Sequence, residues 1–250
     1  MLLLFDIGNT HTHLGLANGR RVLRQANIPT LAWFDGTAPQ LARRFTGRVV
    51  VNGVALCSVV PRATARATKA IQRLWKLTPW SLTPATIRGV GINYPRPSTI
   101  GPDRLANAVA VRHHYGAPAV VVDFGTAVTF DVVDRRGDYV GGIIAPGLAV
   151  MSDYLHEKTA LLPPIRLREV DAVIGKNTAQ AMLIGAVHGY RGLIRALLHE
   201  LKRELKCPRL PVVATGGYAR LLTARLPEIT AVEPLLTLEG LRLVWHNRQG

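Results

Sequence analysis

The sequence predicts a two-lobed α/β protein that arose by duplication of one unit. The stretch LLLFDIGNTHTHLGLANGRRV, from Leu2, has a counterpart in VVVDFGTAVTFDVVDRRGDYV, from Val120. With Asp6 aligned on Asp123, each copy gives an apolar strand, Asp-x-Gly, a turn containing Thr, a second strand and a polar turn. Strand-length apolar runs alternate with helical periods elsewhere, as in α/β proteins. We expect lobes at residues 1–115 and 116–250, with a cleft between them.

Each element rests on a local pattern. Strands are predicted at the short apolar runs 2–5, 14–16, 49–51, 54–60, 119–122, 130–133, 143–144 and 211–214. Helices are predicted where apolar residues recur at a helical period, at 64–77, 103–115, 148–161 and 178–206, the last with a break near Gly189 or Gly192. The first polar turn contains Asn18 and Gly19, a pair that favours a type I′ hairpin because both residues tolerate positive φ.

Composition narrows the class of protein. The 250 residues are 48% hydrophobic, and no apolar run approaches the roughly 20 residues that a membrane span needs. The apolar start meets Asp6 too early for a signal peptide, so we expect a soluble, cytoplasmic protein without a membrane partner. Cys57 and Cys207 lack the spacing of a disulfide framework or metal site and are expected to be reduced thiols.

The chain is strongly basic. It has 31 Lys and Arg residues against 16 Asp and Glu residues, a formal net charge of +15. Such a field attracts polyanions. The cations are nevertheless scattered, with no tract of five or six, which is typical of solvated helix faces. Nucleic acid is therefore not expected as a partner beyond nonspecific charge attraction.

The two Asp-x-Gly turns are candidate phosphate sites. A carboxylate at the end of a buried strand, such as Asp6 or Asp123, can hold a cation, and glycine lets the backbone approach phosphate oxygens. Asn9, Thr10 and Thr126 supply hydrogen-bonding groups. Either turn alone could be an ordinary Asx or Ser/Thr turn. Two copies in register favour a phosphate clamp.

A third candidate is the sequence Gly101-Pro102-Asp103-Arg104. Pro at the first helical position places Asp103 in the first turn, where the helix dipole favours the ionised carboxylate, a form that suits a general base. Arg104 could bind a carboxylate or phosphate with two hydrogen bonds. The alternative is a helix-start acid beside a surface arginine.

Glycine-rich turns also occur at 141–147 and 214–222, between a strand and a helix, where phosphate or an adenine ring can bind. His11 and His13 share a strand face without a third ligand. We interpret both as polar surface residues rather than as a metal site.

These motifs together resemble one family. Seven short motifs occur in the order and spacing of the type III pantothenate kinases. They are DIGNT at Asp6, GPDR at Gly101, DFGTA at Asp123, GGIIAPG at Gly141, GKNTAQAM at Gly175, TGG at Thr215 and LTLEGL at Leu236. The resemblance spans essentially the whole chain. It implies the fold of the acetate and sugar kinase, actin and chaperone superfamily, with two duplicated actin-like (ribonuclease H-like) lobes, each a mixed sheet with flanking helices.

The resemblance implies an activity, substrates and a site. The reaction is ATP-dependent phosphorylation of pantothenate to 4′-phosphopantothenate, the first committed step toward coenzyme A. The general base is Asp103, and the pantothenate pocket includes Tyr94, Gly101, Pro102 and Arg104. Thr178 resembles a residue that reaches the partner subunit's pantothenate pocket, which implies a homodimer with shared active sites.

The same resemblance implies how ATP is bound. ATP enters with Mg²⁺, which Asp6 contacts directly or through water, and a monovalent cation, K⁺ or NH₄⁺, binds at Asp123. The residues expected at the ATP phosphates or nucleoside are Asp6, Gly8, Asn9, Thr10, Gly125, Thr126, Gly216 and Gly217.

Two other functions are compatible with the residues. One is a phosphohydrolase of the same superfamily, in which water replaces the alcohol. The other is a nucleotide-sensing regulatory or nucleic-acid-binding protein that keeps the fold. Neither accounts for Asp103 and Arg104 beside two phosphate clamps.

Overall fold

The structure is a computed structural model that describes residues 1–248. Its strands are β1 (Leu2–Ile7), β2 (His11–Ala17), β3 (Val22–Pro29), β4 (Gly53–Ser58), β5 (Trp80–Ser81), β6 (Gly91–Ile92), β7 (Ala119–Phe124), β8 (Ala127–Val133), β9 (Asp138–Pro146), β10 (Val212–Thr215) and β11 (Ala231–Val232). Its helices are α1 (Ala32–Asp35), α2 (Ala38–Thr46), α3 (Pro61–Trp75), α4 (Pro102–Tyr115), α5 (Leu148–Lys158), α6 (Thr178–Ile184), α7 (Tyr190–Glu204), α8 (Ala219–Thr223) and α9 (Leu236–Asn247).

The described chain divides into two compact units. Unit 1 consists of residues 1–116, 137–140 and 235–248, and unit 2 of residues 117–136 and 141–234. The predicted lobes at 1–115 and 116–250 differ from these units in two segments, 137–140 and 235–248. That lobe boundary stays a prediction, and its last residues, 249–250, lie outside the described part.

Unit 1 is built on a five-stranded sheet in the order β3-β2-β1-β4-β5. β1 pairs antiparallel with β2 and parallel with β4. Alternate side chains of a strand point to opposite faces. Leu3, Phe5 and Ile7 therefore point into a buried cluster with residues of α1, α2 and α3. Leu4 and Asp6 point to the opposite face, where α9 contacts β1 and α4 contacts β4.

Close packing of α4 against α9 fixes the helix that carries Asp103. A Cβ at Gly240 of α9 would overlap the carbonyl oxygen of Ala106 in α4, so only glycine permits this approach. The hydroxyl of Thr237 donates to Oδ1 of Asn107 at 2.8 Å. The motif LTLEGL is therefore a helix-packing sequence.

Unit 2 is built on a second mixed sheet. β11, β10, β7, β8 and β9 follow one another in it, with β10 parallel to β7 and β8 antiparallel to β7. The first residues of β9 lie in unit 1, where Gly91 pairs with Asp138 and Ile92 with Tyr139. Two mixed sheets with flanking helices confirm the predicted α/β class.

Arg191 of α7 ties together three parts of unit 2. Its buried guanidinium donates to both carboxylate oxygens of Glu169 at 2.9 and 2.6 Å. It also donates to the carbonyls of Leu221 and Leu222 in α8 at 2.7 and 3.0 Å. The hydrogen bonds from Arg191 hold the pKa of Glu169 below its usual range. This bidentate pair anchors the long irregular segment before α6.

The predicted helix at 178–206 is interrupted, as expected, near Gly189. A π-helical segment, Gly185–Gly189, joins α6 to α7. The other three predicted helices occur within a few residues of their expected bounds. Sequence reasoning missed the helices α1, α2, α8 and α9, which are short or lie at the end of the chain.

Two local predictions were wrong. Residues 49–51 form no strand. Asn18 and Gly19 do not form a type I′ turn, because neither has a positive φ. Instead Oδ1 of Asn18 accepts hydrogen bonds from the amides of Arg20 and Arg21 at 2.8 and 2.9 Å. This Asx turn satisfies the backbone without left-handed residues.

The outer face of α3 carries only positive charge. No Asp or Glu occurs between Asp35 and Asp103. Exposed cations recur every three or four residues, which places them along one side of the helix and its C-terminal cap. We call this set the α3 cation stripe: Arg62, Arg66, Lys69, Arg73 and Lys76.

Candidate active site

A row of polar side chains crosses the sheet of unit 1 at the carboxyl end of β1. Asp6 lies directly opposite Cys57 of β4 and His13 of β2, and His13 lies opposite Asn27 of β3. Residues in register on neighbouring strands share a face of the sheet. We call Cys57, Asp6, His13 and Asn27 the polar row. It lies on the face that α4 covers, so it is placed to meet Asp103.

The environment of Asp6 is unusual for a carboxylate. Its pKa is raised from 3.8 to about 6, chiefly by burial and also by the nearby charge of Asp103, whereas the charge of His13 and a hydrogen bond from Cys57 lower it. The thiol of Cys57 donates to Oδ1 of Asp6 at 3.5 Å. Burial also raises the pKa of that thiol, so Cys57 serves as a neutral donor. The charge of Asp103 therefore reaches Asp6, and carboxylates with pKa values shifted by burial and by a neighbouring charge are typical of functional sites.

Asp103 occupies the first turn of α4, as the sequence predicted. Its Oδ1 accepts a hydrogen bond from the backbone amide of Arg104 at 2.9 Å. Burial raises the pKa of Asp103, while that hydrogen bond and the charge of Arg104 lower it. A Cβ at Gly101 would collide with the same carboxylate oxygen. The turn GPDR therefore fixes one orientation of a carboxylate with raised proton affinity.

Aromatic rings lie beside Arg104. Its guanidinium carbon is 5.9 Å from the ring centre of Tyr139, a buried residue at the start of β9. The ring of Tyr94 contacts that of Tyr139 edge-on, with 6.2 Å between ring centres. The structure thus brings the predicted residues Tyr94, Gly101, Pro102 and Arg104 together. It adds Tyr139, which sequence reasoning missed.

Two hydrogen bonds from Thr30 hold the first Asp-x-Gly turn in place. The hydroxyl of Thr30 donates to the carbonyl of Gly8 at 2.7 Å, and its amide donates to the carbonyl of Thr10 at 2.9 Å. The amide of Gly8 donates to the carbonyl of His11 at 2.9 Å. Asn9 and Thr10 remain exposed at the tip. The loop is therefore rigid at its base and accessible at its tip.

Unit 2 gathers the second set of predicted residues. Asp123, the penultimate residue of β7, lies opposite Thr215 at the end of β10. Gly216 follows Thr215 with a φ of +92°. A Cβ at Gly216 would lie 2.5 Å from Oδ1 of Asp123. This position requires glycine both for its φ and for the space beside the carboxylate.

The second Asp-x-Gly turn packs against the end of β9. The amide of Gly147 donates to the carbonyl of Thr126 at 3.0 Å, and a Cβ there would overlap the carbonyl oxygen of Gly125. Thr126 is exposed, and Gly217 is exposed with open space around its Cα. The motif GGIIAPG thus closes one side of this turn.

Thr178 lies exposed at the first position of α6. The helix starts there because Oδ1 of Asn177 accepts from the amide of Gln180 at 2.9 Å, while Oε1 of Gln180 accepts from the amide of Lys176 at 2.8 Å. The first bond is an N-cap, and the second ties the Gln180 side chain back to the residue before the cap. The motif GKNTAQAM therefore ends a loop and presents Thr178 to solvent.

Three further observations concern the described part of the chain. Within residues 1–248, no three His, Cys, Asp or Glu side chains cluster closely enough to form a metal centre. A cavity of about 320 Å³ lies at the other end of β1, lined by residues that include Met1, Asn18 and Trp245. It contains none of the predicted site residues. No helix in the described part of the chain is long and apolar enough to span a membrane.

Sequence reasoning missed two members of the polar row that act on Asp6. It interpreted His13 as a surface residue, whereas His13 is partly buried and acts on the charge of Asp6. Cys57 was assigned no chemistry, although the pairing of β1 with β4 places it beside Asp6. Only the strand register places His13 and Cys57 beside Asp6, and the register can be stated only when the order of strands in the sheet is known.

Solved structures share this fold. A Campylobacter jejuni protein described as a Baf family transcriptional activator aligns with a TM-score of 0.63 at 19% identity, covering 99% of this chain and 98% of its own. At that identity the likeness shows a common fold and carries no statement about regulation.

Close relatives identify the family. A type III pantothenate kinase of Methylacidiphilum infernorum is 42% identical over 245 residues, which cover 97% of this chain and 87% of the relative. A type III pantothenate kinase of Akkermansia muciniphila is 45% identical over 243 residues, or 96% of both chains. The family model for type III pantothenate kinase matches residues 2–200. With the full set of motifs in the places described above, the chain belongs to the type III pantothenate kinase family.

Proposed function

We propose that Asp103 is the general base in the ATP-dependent phosphorylation of pantothenate, the family's reaction and the first committed step toward coenzyme A. The supporting observation is a partly buried carboxylate with raised pKa, which lies in the first turn of a helix beside Arg104 and whose charge raises the pKa of Asp6. A base with raised proton affinity takes a hydroxyl proton more readily. With two such carboxylates on one face of unit 1, we assign Asp103 as the base and Asp6 as the group that contacts the metal.

The proposed transfer is a direct displacement. The carboxylate of Asp103 accepts the proton of the pantothenate hydroxyl as the hydroxyl oxygen bonds to the γ-phosphorus. The bond from that phosphorus to the bridging oxygen of ADP breaks, and ADP leaves with the electron pair. Such a reaction depends chiefly on positioning and on stabilising charge.

Arg104 is the proposed anchor for the carboxylate of pantothenate. A guanidinium binds a carboxylate with two parallel hydrogen bonds. Tyr94 and Tyr139 form an aromatic wall beside it, and Gly101 with Pro102 forms the adjoining backbone. This pocket and the base lie on one short segment, so binding places the hydroxyl relative to Asp103.

Asp6, Gly8, Asn9 and Thr10 are the proposed partners of the ATP phosphates. The exposed tip of the braced loop offers amide and hydroxyl groups, and the glycine brings the backbone close. Family membership implies ATP with a divalent metal, and the Asp6 carboxylate suits Mg²⁺ because oxygen ligands are preferred. Bound Mg²⁺ would neutralise phosphate charge during transfer.

Asp123 is the proposed ligand of a monovalent cation, K⁺ or NH₄⁺. A Cβ at Gly216 would collide with Oδ1 of Asp123 and with the backbone of Phe124, so glycine at this position lets the carboxylate keep the orientation in which it is proposed to bind the ion. Gly125 and Thr126 complete the second phosphate clamp, and the exposed Gly217 adjoins the nucleoside. The experiment is activity in K⁺ and in Na⁺ for the wild type and Asp123→Ala. A K⁺ stimulation that survives the substitution would remove Asp123 from this role.

We infer that the active form is a homodimer in which Thr178 reaches the pocket of the partner subunit. Unit 2 supports this with large apolar side chains that lie exposed on β9, on α5 and in the segment between α5 and α6, namely Ile144, Val150, Met151, Tyr154, Leu155, Leu161, Val173 and Ile174. Such a surface is typical of a protein interface. An ATP-dependent enzyme of biosynthesis is expected in the cytoplasm.

The test of the base is Asp103→Asn in a coupled ADP-release assay. We expect ADP release to require pantothenate in the wild type and kcat to fall about 10²- to 10⁴-fold in the variant, while ATP affinity is retained. Asp35→Asn, an exposed carboxylate of the same unit, is the matched control and should retain full activity. Near-normal turnover by Asp103→Asn would exclude it as the base. ADP release by the wild type without pantothenate would instead indicate a hydrolase.

Shared sites have a separate test. Mixing inactive Asp103→Asn with inactive Thr178→Arg protein should restore activity, because a mixed dimer holds one site with both wild-type residues. Light scattering should give a dimeric mass. No recovery after subunit exchange would show that Thr178 acts within its own subunit.

A further inference from the structure

We infer that Tyr190 is a positioning residue for the reaction, because its hydroxyl holds the end of β9 against the second Asp-x-Gly turn. The inference rests on the proposed binding of the cation by Asp123 and of the phosphates by Gly125 and Thr126. It adds a residue of α7 that none of the motifs includes, and it gives a buried hydroxyl a role in the reaction that does not require contact with a substrate.

Tyr190 is the first residue of α7, and its side chain is buried. Its hydroxyl donates to the carbonyl of Pro146 at 2.9 Å. Burial raises the pKa of Tyr190 to about 12, so the hydroxyl keeps its proton and remains a donor at neutral pH. The next residue, Arg191, donates to Glu169 and to two carbonyls of α8, which fixes this turn of α7. The hydroxyl therefore extends from a helix that is itself held in place.

Pro146, the last residue of β9, is held through its carbonyl. Proline has no amide hydrogen, so the carbonyl is the only backbone group through which this residue can be hydrogen-bonded. The next residue, Gly147, uses its amide for the carbonyl of Thr126 at 3.0 Å and its carbonyl for the amide of Met151 in α5, also at 3.0 Å. The bond from Tyr190 therefore fixes the point at which β9 passes into α5.

Gly147 lies directly against the second Asp-x-Gly turn. A Cβ at this position would overlap the carbonyl oxygens of Thr126 and Gly125. Two backbone segments thus meet without a side chain between them, and closely packed segments pass a displacement on to their neighbours. A shift of Pro146 would therefore move the turn that is proposed to hold the phosphates.

Two consecutive residues of α7 hold the two segments that lie against this turn. Tyr190 holds the segment that contains Gly147, and Arg191 holds α8, which follows Gly216. A Cβ at Gly216 would lie 2.7 Å from the amide nitrogen of Phe124, so this glycine also packs on the turn. Any buried tyrosine hydroxyl needs a partner, so the hydrogen bond by itself would fit simple packing. Its acceptor, one residue before Gly147, is what assigns the positioning role.

The experiment compares Tyr190→Phe with a control in the same helix. Tyr190→Phe keeps the ring and removes only the hydroxyl. Ile194→Val is the matched control, because Ile194 is fully buried one turn further along the same face of α7 and its shortening lowers stability by a similar amount. Urea unfolding measures how closely the two variants match in stability. Calorimetry gives the Kd for ATP with Mg²⁺, and initial rates give the KM for pantothenate and the K⁺ concentration of half-maximal activity.

We expect Tyr190→Phe to raise the Kd for ATP about 3- to 10-fold, the usual effect of losing one hydrogen bond. The K⁺ concentration of half-maximal activity should rise by a similar factor, because the cation proposed at Asp123 binds in the same turn. The KM for pantothenate should change less than about twofold. Ile194→Val should change none of these quantities by more than about twofold, since it leaves the bond to Pro146 intact.

Unchanged ATP affinity in Tyr190→Phe would overturn the inference. Equal effects of Ile194→Val would do so as well, since they would follow from the lower stability of unit 2 and not from the bond to Pro146. Failure of the proposed function is a separate result. A wild type that binds ATP but does not phosphorylate pantothenate, or that does not respond to K⁺, would reject that function, while the ATP affinities would still decide the role of Tyr190.

Discussion

Replacing Asp6 with asparagine should make the protein more stable at neutral pH. Burial raises the pKa of Asp6 from 3.8 to about 6, which means that the folded state resists ionisation of this group. At roughly 1.4 kcal/mol for each tenfold change in proton affinity, the ionised carboxylate costs the folded state about 3 kcal/mol. An asparagine side chain carries no charge, so Asp6→Asn should recover a large part of this cost.

The sign of the effect depends on pH in a defined way. Well below pH 3.8 Asp6 is protonated in both the folded and unfolded states, and the stability difference between the two proteins no longer depends on pH. Between about pH 4 and pH 6 the unfolded wild type ionises Asp6 while the folded protein retains the proton, so the stability of the wild type relative to the variant should fall across this range and then level off. Above pH 7 the difference should be largest.

The assay is urea unfolding of the wild type and Asp6→Asn at several pH values between 4 and 8, without nucleotide and with a chelator to remove divalent metal. Asp35→Asn is the control with the opposite sign, because hydrogen bonds from Thr37 hold the pKa of Asp35 below its usual range. A stability difference that does not widen between pH 4 and pH 7.5 would refute the reasoning. A lower stability of Asp6→Asn above pH 7 would refute it as well.

Three further outcomes are expected. Gly216→Ala should abolish stimulation by K⁺ and lower stability by about 1–3 kcal/mol in urea unfolding, because it strains a φ of +92° and displaces the Asp123 carboxylate; unchanged stimulation would count against Asp123 as the cation ligand. Arg191→Met should destabilise by about 1–3 kcal/mol, because it leaves the carbonyls of Leu221 and Leu222 without their donor while the partly exposed Glu169 keeps Arg225; a loss below about 0.5 kcal/mol would contradict this. Lys69→Glu should raise Tm, because it replaces repulsion within the α3 cation stripe with attraction of roughly 0.2–0.5 kcal/mol per pair. The increase in Tm that added salt produces should become smaller in the variant. An unchanged salt response would show that repulsion within the stripe does not lower the stability of the protein.

Local sequence signals predicted much of the fold. The repeat anchored on Asp6 and Asp123 predicted both hairpins, and the Gly-Pro-Asp sequence before α4 predicted the start of that helix. These features are encoded within a few residues, so they can be recognised without knowing the tertiary structure. The valine run at 49–51 was misleading because β-branched residues favour strands only where a partner strand is available.

Long-range packing accounts for most of what the sequence did not predict. α9 belongs to unit 1 because Gly240 lets it approach Ala106, a match between residues far apart in the chain. Tyr139 joins the site through the pairing of β9 with β6, which contains only two residues. Neither contact follows from periodicity, since each depends on which surfaces meet after the chain has folded.

The candidate site divides in the same way. Asp103, Arg104 and Gly101 were predictable because they are neighbours in sequence at a helix start. Cys57 and His13 were not, because they reach Asp6 across strands whose order and register the sequence does not state. For this protein, motifs predicted the groups proposed for the reaction, whereas the structure was needed to find the groups around them.

The π-helical segment at Gly185–Gly189 has a consequence for the evolution of the proposed interface. A π turn accommodates one more residue than an α turn, and each residue advances an α-helix by about 100°. Deleting one residue here would leave Arg191 and the buried face of α7 unchanged, yet would turn α6 and Thr178 about a quarter of the way around the helix axis. A one-residue insertion or deletion in this segment can therefore turn Thr178 toward a different partner surface while the packing of the core of unit 2 stays the same.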